Sequence, residues 1–365
     1  MPVGSQASIK AVTPKDLKEI GVRMVLANTY HLFLRPGIDV VRKLGGLHRF
    51  MDWDQAILTD SGGFQIFSLS RLRQITPEGV KFRSHIDGSE HFITPEADIH
   101  FQEALGADVI MALDVCPAFE DPPAKVKEAM ERTHQWAVRC RKAHLRPNQA
   151  LFGIVQGGFN EGWRRESARF ITSLDFPGYA IGGLSLGEPK EMTWNMVETT
   201  APLLPENKPR YLMGVGSPED ILNAVSRGID MFDSVLPTRV ARNGALFSDV
   251  GRLNIRNALW KEISAPVDPT CLCYTCRHFS AAYLHHLFRA GELLAYTLAT
   301  IHNLTFMHNF MVRVRDSIGK GTFDDFKDSF LTGYQSTDES VRLAQKLRWQ
   351  ENQANLASNE KPDDY

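Results

Sequence analysis

Cysteine is scarce in this chain: five in 365 residues are too few for a disulfide framework, and the sequence reads as cytoplasmic. Neither charge dominates. Lys plus Arg number 41 against 43 Asp plus Glu, a formal net charge of −2, which excludes a globally cationic nucleic-acid binder but not a local basic face. No uninterrupted apolar run approaches the roughly 18 residues that a membrane helix needs. The opening MPVGSQASIK has no charged segment followed by an apolar stretch, so no secretory signal is visible. What is present is an ordinary globular composition, 43% hydrophobic, long enough for two domains or for one barrel with insertions.

Short apolar strands recur, each followed by a polar turn and a helical pattern. Strands are expected at 2–5, 23–28, 56–60, 108–114, 150–156, 178–183, 210–214 and 230–234. Between them lie helical segments with Ser, Thr, Asn or Asp near their starts, including 13–20, 94–105, 121–144 and 217–228. Buried strands alternating with helices argue for an α/β fold with a parallel sheet, and eight is the number that closes a (β/α)8 TIM barrel. A doubly wound open sheet is the competitor, but no dinucleotide fingerprint supports it. The barrel is expected over 1–238, with turn signals DG and EG marking a hairpin insertion at 65–93. A small metal-held subdomain is expected over 239–305, a closing barrel helix over 306–334, and a charged, partly disordered tail over 335–365.

Cys271, Cys273 and Cys276 fall within six residues, a spacing that lets backbone turns deliver several sulfurs to one ion. Zn²⁺ in Cys₃His coordination suits cytosolic thiols best. His278, His285, His286, His302 and His308 all follow and compete for the fourth position. Four protein ligands leave no open site, so this metal is structural and the chemistry lies elsewhere.

Three of the expected strand ends carry aspartate: Asp60 in LTDSGGFQ, Asp114 in MALDVC and Asp233 in FDSVLPTR. Strand C-termini converge on one mouth of a barrel, where active sites sit. A single such aspartate is as readily a cap or an ion-pair partner; three at equivalent positions favour function. Two opposed carboxylates suit an anomeric carbon, one attacking and one handling the leaving group's proton. A third can accept two adjacent N–H groups of a base such as guanine. Glycine turns at Ser61-Gly62-Gly63, Gly157-Gly158 and Gly182-Gly183 let backbone amides approach a flat ligand. Phe64 and Met213 are positioned to sandwich it, although core packing is the commoner fate of both residue types.

Taken in order, DSGGFQ (60–65), SHIDGS (84–89), LDVC, FGIVQGG (152–158), GYAIGGLSLGE (178–188), YLMGVG (211–216), GIDMFDSVLPTRVARNG (228–244) and CLCYTC resemble bacterial tRNA-guanine transglycosylases of the queuine tRNA-ribosyltransferase family, from residue 1 to about Tyr334. The resemblance implies that Asp233 is the nucleophile toward ribose C1′ and that Asp60 is the general acid/base. It implies that Asp114 holds the guanine edge, with Gln156 and the Gly183 N–H on the base carbonyl. The Leu184 carbonyl receives an aminomethyl group, Phe64 and Met213 stack on the base, and Ser61 and Cys116 line the same pocket. It selects His302 as the fourth zinc ligand with Cys271, Cys273 and Cys276. Arg239 and Arg242 resemble the arginines that read uridines flanking the wobble guanine, whose base must be extruded from the loop. Arg132, Arg139, Arg141, Lys142 and Arg146, by contrast, read as a solvated helix face.

Implied partners are the tRNA anticodon loop, guanine and preQ1, with a homodimer through the zinc subdomain, where Phe279, Tyr283 and His286 could form an aromatic patch; no membrane and no ATP or redox cofactor are expected. The family usually has a further segment, with a hairpin at the barrel floor, ahead of its equivalent of MPVGS; without it, floor residues are expected to be exposed and stability lowered. Val115 stands where bacterial members usually have Glu, which weakens the case for amine recognition. Leu186 stands where they have Val and queuine users have Gly. The bulkier Leu186, with Cys116, favours preQ1 over queuine. A queuine-using enzyme and a non-catalytic tRNA-binding partner subunit are the alternatives. Retention of both Asp60 and Asp233 argues against the second.

Overall fold

The computed structural model describes residues 1–69 and 73–336; the tail expectation for 337–365 lies outside these residues. Its strands, in chain order, are β1 (Val3–Gly4), β2 (Met24–Asn28), β3 (Ala56–Asp60), β4 (Arg73–Ile75), β5 (Val80–Arg83), β6 (Glu90–Ile93), β7 (Val109–Met111), β8 (Ala150–Val155), β9 (Gly178–Ile181), β10 (Arg210–Leu212), β11 (Met231–Phe232), β12 (Ala245–Ser248) and β13 (Gly251–Asn254). Eight of them form one parallel sheet in the order β1-β2-β3-β7-β8-β9-β10-β11. A parallel bridge between Pro2 and Ser234 joins its two edges, with Ser234 N–H donating to the Met1 carbonyl at 3.3 Å. The sheet is therefore a (β/α)8 barrel, the α/β architecture read from the alternation of elements.

Two apolar layers follow from the period-two alternation of each strand. Leu26, Leu58, Met111, Phe152, Ile154 and Tyr211 pack inside the barrel. Their neighbours Val25, Ala27, Ile57, Ile110, Val155 and Leu212 face the surrounding helices. The helices start where capping residues predict. Thr13, Thr94, Asn160 and Ser217 each accept a backbone N–H from the first turn of Pro14–Ile20, Pro95–Leu105, Glu161–Ser173 and Pro218–Val225.

Several strands are shorter at their C-terminal ends than expected. β7 stops at Met111 because side chains, not the adjacent strand, take the following amides: Leu113 N–H meets Cys140 Sγ and Val115 N–H donates to Thr133 Oγ1. Asp114 thus lies beyond its strand, and Asp233 directly follows β11, whereas Asp60 ends β3.

Between β3 and β7 the chain forms the helix Gly63–Leu69 and the antiparallel sheet β4-β5-β6. Pro77 O in the β4–β5 turn accepts from Trp136 Nε1 and Arg139 Nη1, and Arg139 also pairs with Glu96. Arg139 of the basic cluster on helix Pro123–Ala143 is thus a structural clamp.

After β11, helix Leu236–Arg242 leads into the β12–β13 hairpin, and helices Tyr274–His278 and Ala281–Ala290 precede the helix Leu293–Gly319. This last helix belongs to both bodies: Leu298 and Ala299 pack in the cysteine-bearing cluster, while Phe306 and Phe310 pack in the barrel core. Asn303, fully buried on the same helix, accepts from Phe247 N–H and donates to Pro237 O and Ala245 O at 2.9, 3.0 and 3.0 Å. It pins the helix to two segments at once. Among the described residues no helix is long and apolar enough to cross a membrane.

Asn303→Ala leaves three buried backbone groups without partners, so a loss of roughly 2–4 kcal/mol is expected. Urea denaturation checks it; a midpoint unchanged from wild type would show that the helix does not depend on this anchor.

Candidate active site

The mouth of the barrel collects the three aspartates, each in a different polar setting. Asp60 is buried at the end of β3. Asn28 Nδ2 donates to its Oδ2 at 2.5 Å and Thr29 N–H to its Oδ1 at 3.0 Å. Burial nevertheless dominates and pushes its pKa up to about 7, opposed by the Thr29 amide and reinforced by the charges of Asp233 and Asp114. Asp114 is also buried, with Gln156 Nε2 donating to Oδ2 at 2.7 Å and Ser61 Oγ to Oδ1 at 3.4 Å. Burial raises it to about 6 against those two hydrogen bonds.

Asp233 is only half-buried. Tyr211 Oη and the Gly214 N–H both donate to its Oδ1, at 2.5 and 2.7 Å. Both donors therefore converge on one oxygen, and Oδ2 has no hydrogen bond among the described residues. Tyr211 is wholly inside the barrel, and burial plus the Asp233 charge keep its phenol protonated. The effect that Asp233 has on Asp60 places the two carboxylates in one electrostatic neighbourhood.

The glycine turns approach these groups closely. A Cβ on Gly63 would lie 2.8 Å from the Asp114 carbonyl, and one on Gly183, where φ is +70°, would collide with Gln156 Oε1. Gln156 is fully buried, and its Oε1 has no partner among the described residues. Gln156 Nε2, which donates to Asp114, keeps a second hydrogen for a ligand acceptor. Cys116, whose thiol burial pushes up, lies in the same field beside Asp114 and Gln156. Phe64 stands 46% exposed at the start of helix Gly63–Leu69. Met213 is half-buried against the inner barrel cluster. The Leu184 side chain is buried in the outer core, so only its backbone faces outward chemistry.

The next turn is held by Glu188. Its carboxylate accepts from the Ser185, Leu186 and Gly187 amides at 2.5, 2.8 and 2.9 Å and from Thr193 Oγ1 at 2.5 Å. Beside it a cavity of about 330 Å³ is lined by Lys190, Arg239 and Arg252 among others. Arg239 is exposed on helix Leu236–Arg242, whereas Arg242 is half-buried and donates to Thr238 O at 2.8 Å.

Asn28, Tyr211, Arg164 and Glu188 were not found by sequence reasoning. Asn28 was findable, since it ends β2 as Asp60 ends β3. Tyr211 sits among apolar strand residues and gives no such signal.

Away from the mouth, Cys271, Cys273, Cys276 and His302 bring their ligand atoms within 4.8 Å of one another. His302 Nε2 faces the Phe247 carbonyl at 2.8 Å, which requires the proton there and leaves the Nδ1 lone pair toward the sulfurs. Cys276 Sγ and Cys273 Sγ lie 3.3 and 3.7 Å from Nδ1. This donor set fits a metal ion and selects His302 over the competing histidines; His285, for one, is spent on Ile255 O at 2.7 Å.

A parallel eight-stranded barrel with carboxylates gathered at the C-terminal ends of its strands, and a Cys₃His cluster held apart from them, defines a barrel enzyme with an accessory metal site. The family model for queuine tRNA-ribosyltransferase matches residues 1–336. The chain is 62% identical over 348 residues to a queuine tRNA-ribosyltransferase of Dehalococcoides mccartyi (strain ATCC BAA-2266 / KCTC 15142 / 195), covering 95% of this chain and 89% of that protein. It is 56% identical over 340 residues to one from Thermoanaerobacter sp. (strain X514), covering 93% and 91%. It is 54% identical over 336 residues to one from Moorella thermoacetica, covering 92% and 90%. The chain belongs to the queuine tRNA-ribosyltransferase family and is an enzyme of the tRNA-guanine transglycosylase class.

The raised Asp60 pKa has a stability consequence with a definite sign. The folded state favours the protonated form, so this contribution is complete below the ordinary value of 3.8 and is lost as pH rises through about 7. Asp60→Asn, permanently neutral, is expected to be more stable than wild type by roughly 1–3 kcal/mol at about pH 8, with the gain fading toward about pH 4. Melting curves across that range check it; a pH-independent difference would refute burial as the cause.

Proposed function

We propose that this enzyme replaces guanine at the wobble position of tRNAs with a GUN anticodon by preQ1, through a double displacement on ribose C1′. The observation that carries the reading is the asymmetry of the two carboxylates: Asp233 has both donors on Oδ1 and Oδ2 without a protein partner, while Asp60 titrates near neutrality.

In the first displacement Asp233 Oδ2 forms a bond to C1′ as the C1′–N9 bond breaks. Tyr211 and Gly214 fix the carboxylate's orientation. Protonated Asp60 gives its proton to departing guanine. In the second, ionised Asp60 removes the N9 proton of preQ1, whose nitrogen attacks C1′, and the ester bond to Asp233 breaks. Two inversions give retention. A group near pH 7 suits both proton transfers, because each form is populated when its turn comes.

Recognition of the base falls to Asp114 for adjacent N–H donors, to Gln156 and the Gly183 N–H for the carbonyl, and to the Leu184 carbonyl for the aminomethyl group. Phe64 and Met213 take the two faces of the ring, and Ser61 and Cys116 complete the pocket. Val115 is buried, with its N–H fixed by Thr133, so no acidic side chain assists amine recognition at that position. Leu186, bulkier than the Val or Gly of related enzymes and fixed by its amide hydrogen bond to Glu188, supports preQ1 over queuine. Arg239 and Arg242 read the nucleotides flanking the extruded base.

Cys271, Cys273, Cys276 and His302 would hold one Zn²⁺, which supplies a structural crosslink with no open position. Phe279 and Tyr283 stack with ring centroids 5.4 Å apart beside exposed Tyr274; with His286 they support a homodimer through this subdomain. The enzyme is placed in the cytoplasm with its tRNA substrate.

Incubation of an anticodon stem-loop with enzyme and preQ1, read by mass spectrometry, should show guanine exchanged for preQ1 at the wobble position; incorporation of queuine instead would overturn the base assignment. Asp233→Asn should abolish a denaturant-stable enzyme–RNA adduct, and an adduct that persists would reassign the nucleophile. Metal analysis should find one zinc per chain. Its chelation should lower the melting temperature and weaken tRNA binding; a chelated protein with unchanged melting would remove the metal from the fold's support.

A further inference from the structure

Arg164 is fully buried, on the first turn of helix Glu161–Ser173. Its Nε donates to Gly158 O at 2.7 Å, Nη1 to Val155 O at 3.2 Å and Gly182 O at 2.8 Å, and Nη2 to Gly183 O at 3.5 Å. One guanidinium thus spans two consecutive turns, the one after β8 and the one after β9. It forms no ion pair among the described residues. The acidic group in its field is Glu188, which the amides of residues 185–187 already engage. A lone cation without an acidic partner is an expensive way to fill a core, where an apolar side chain would serve packing equally well.

The peptide plane says what this cation does. In a trans peptide the C=O and the following N–H point in opposite directions. With the Gly182 carbonyl drawn to Arg164, the Gly183 N–H must point away from it. The Gly183 N–H makes no hydrogen bond among the described residues. Glycine at 183, with φ +70°, keeps Gln156 Oε1 from collision. The Gly182 N–H is meanwhile held by Val155 O at 3.0 Å, so the peptides on both sides of Gly182 are fixed.

We infer that Arg164 is a positioning residue for base recognition: it locks the Gly182–Gly183 peptide so that the Gly183 N–H is presented to the carbonyl of the exchanged base before the base arrives. The inference rests on the proposed base-exchange reading. Arg164 touches neither base nor RNA. Lysine cannot replace it, because a single ammonium cannot span four carbonyls held in a planar fork.

The test is steady-state exchange of labelled guanine into a tRNA transcript by Arg164→Lys and Arg164→Gln. Both should raise the KM for guanine about tenfold, equivalent to 1.4 kcal/mol, with the KM for tRNA unchanged within about twofold. Active sites are counted by the Asp233 adduct, so misfolded enzyme lowers only apparent kcat. A guanine KM equal to wild type in folded Arg164→Lys would overturn the assignment, as would equal rises in both KM values. Hydrogen exchange on the wild-type protein keeps the question open to refutation if neither variant folds. The Gly183 amide, unbonded in the free protein, should exchange readily there and gain protection with guanine; a Gly183 amide already protected in the free protein would mean that it is not presented to a ligand and would overturn the assignment. A wild-type enzyme that exchanged no guanine would instead refute the base-exchange reading, while the amide measurement still judges Arg164.

Discussion

The structure turns on taking carboxylates out of water at one end of a barrel and then giving each a different set of donors. Desolvation alone would push every one of them toward the neutral form. Asn28 and Thr29 partly resist this at Asp60, and Gln156 and Ser61 at Asp114; half-buried Asp233 takes both its donors, Tyr211 and Gly214, on one oxygen. The result is three aspartates in three different polar settings at one mouth of the barrel. A uniform pocket of exposed aspartates would not hold carboxylates in such different surroundings.

Backbone geometry does as much as side chains. Two anchors of opposite charge shape the turn after β9: the Glu188 carboxylate collects N–H groups and the Arg164 guanidinium collects carbonyls. Each engages backbone that would otherwise be orphaned near the cleft. Ser185 adopts φ +59° in this stretch, a left-handed conformation that a non-glycine residue keeps only where its surroundings hold it.

The barrel was legible because its strands are short apolar runs and its helices open on Thr13, Thr94 and Ser217, signals set by local chemistry. Asp60, Asp114 and Asp233 were legible for a related reason, since acids on apolar strands are conspicuous. The cysteine spacing exposed the cluster, but spacing alone left five histidines open; the resemblance chose His302, and the long helix is what returns it to the sulfurs. Tyr211 and Arg164 stayed hidden. A tyrosine on an inner strand and an arginine on an amphipathic helix look ordinary until the backbone shows what each faces. The end of β7 was misjudged because side-chain acceptors, Cys140 and Thr133, replaced strand pairing there.

The helix Leu293–Gly319, which packs Phe306 and Phe310 into the barrel core, also carries His302. All eight barrel strands leave the ribosome before it does, separated from it by the cysteine-bearing segment. During synthesis the ring waits without Phe306 and Phe310, and the helix that brings them also brings the last member of a cluster fit to hold an ion. An ion held there would tie the settling of that helix, and with it the completion of the barrel core, to metal supply, and a slower completion leaves apolar surface open to aggregation for longer.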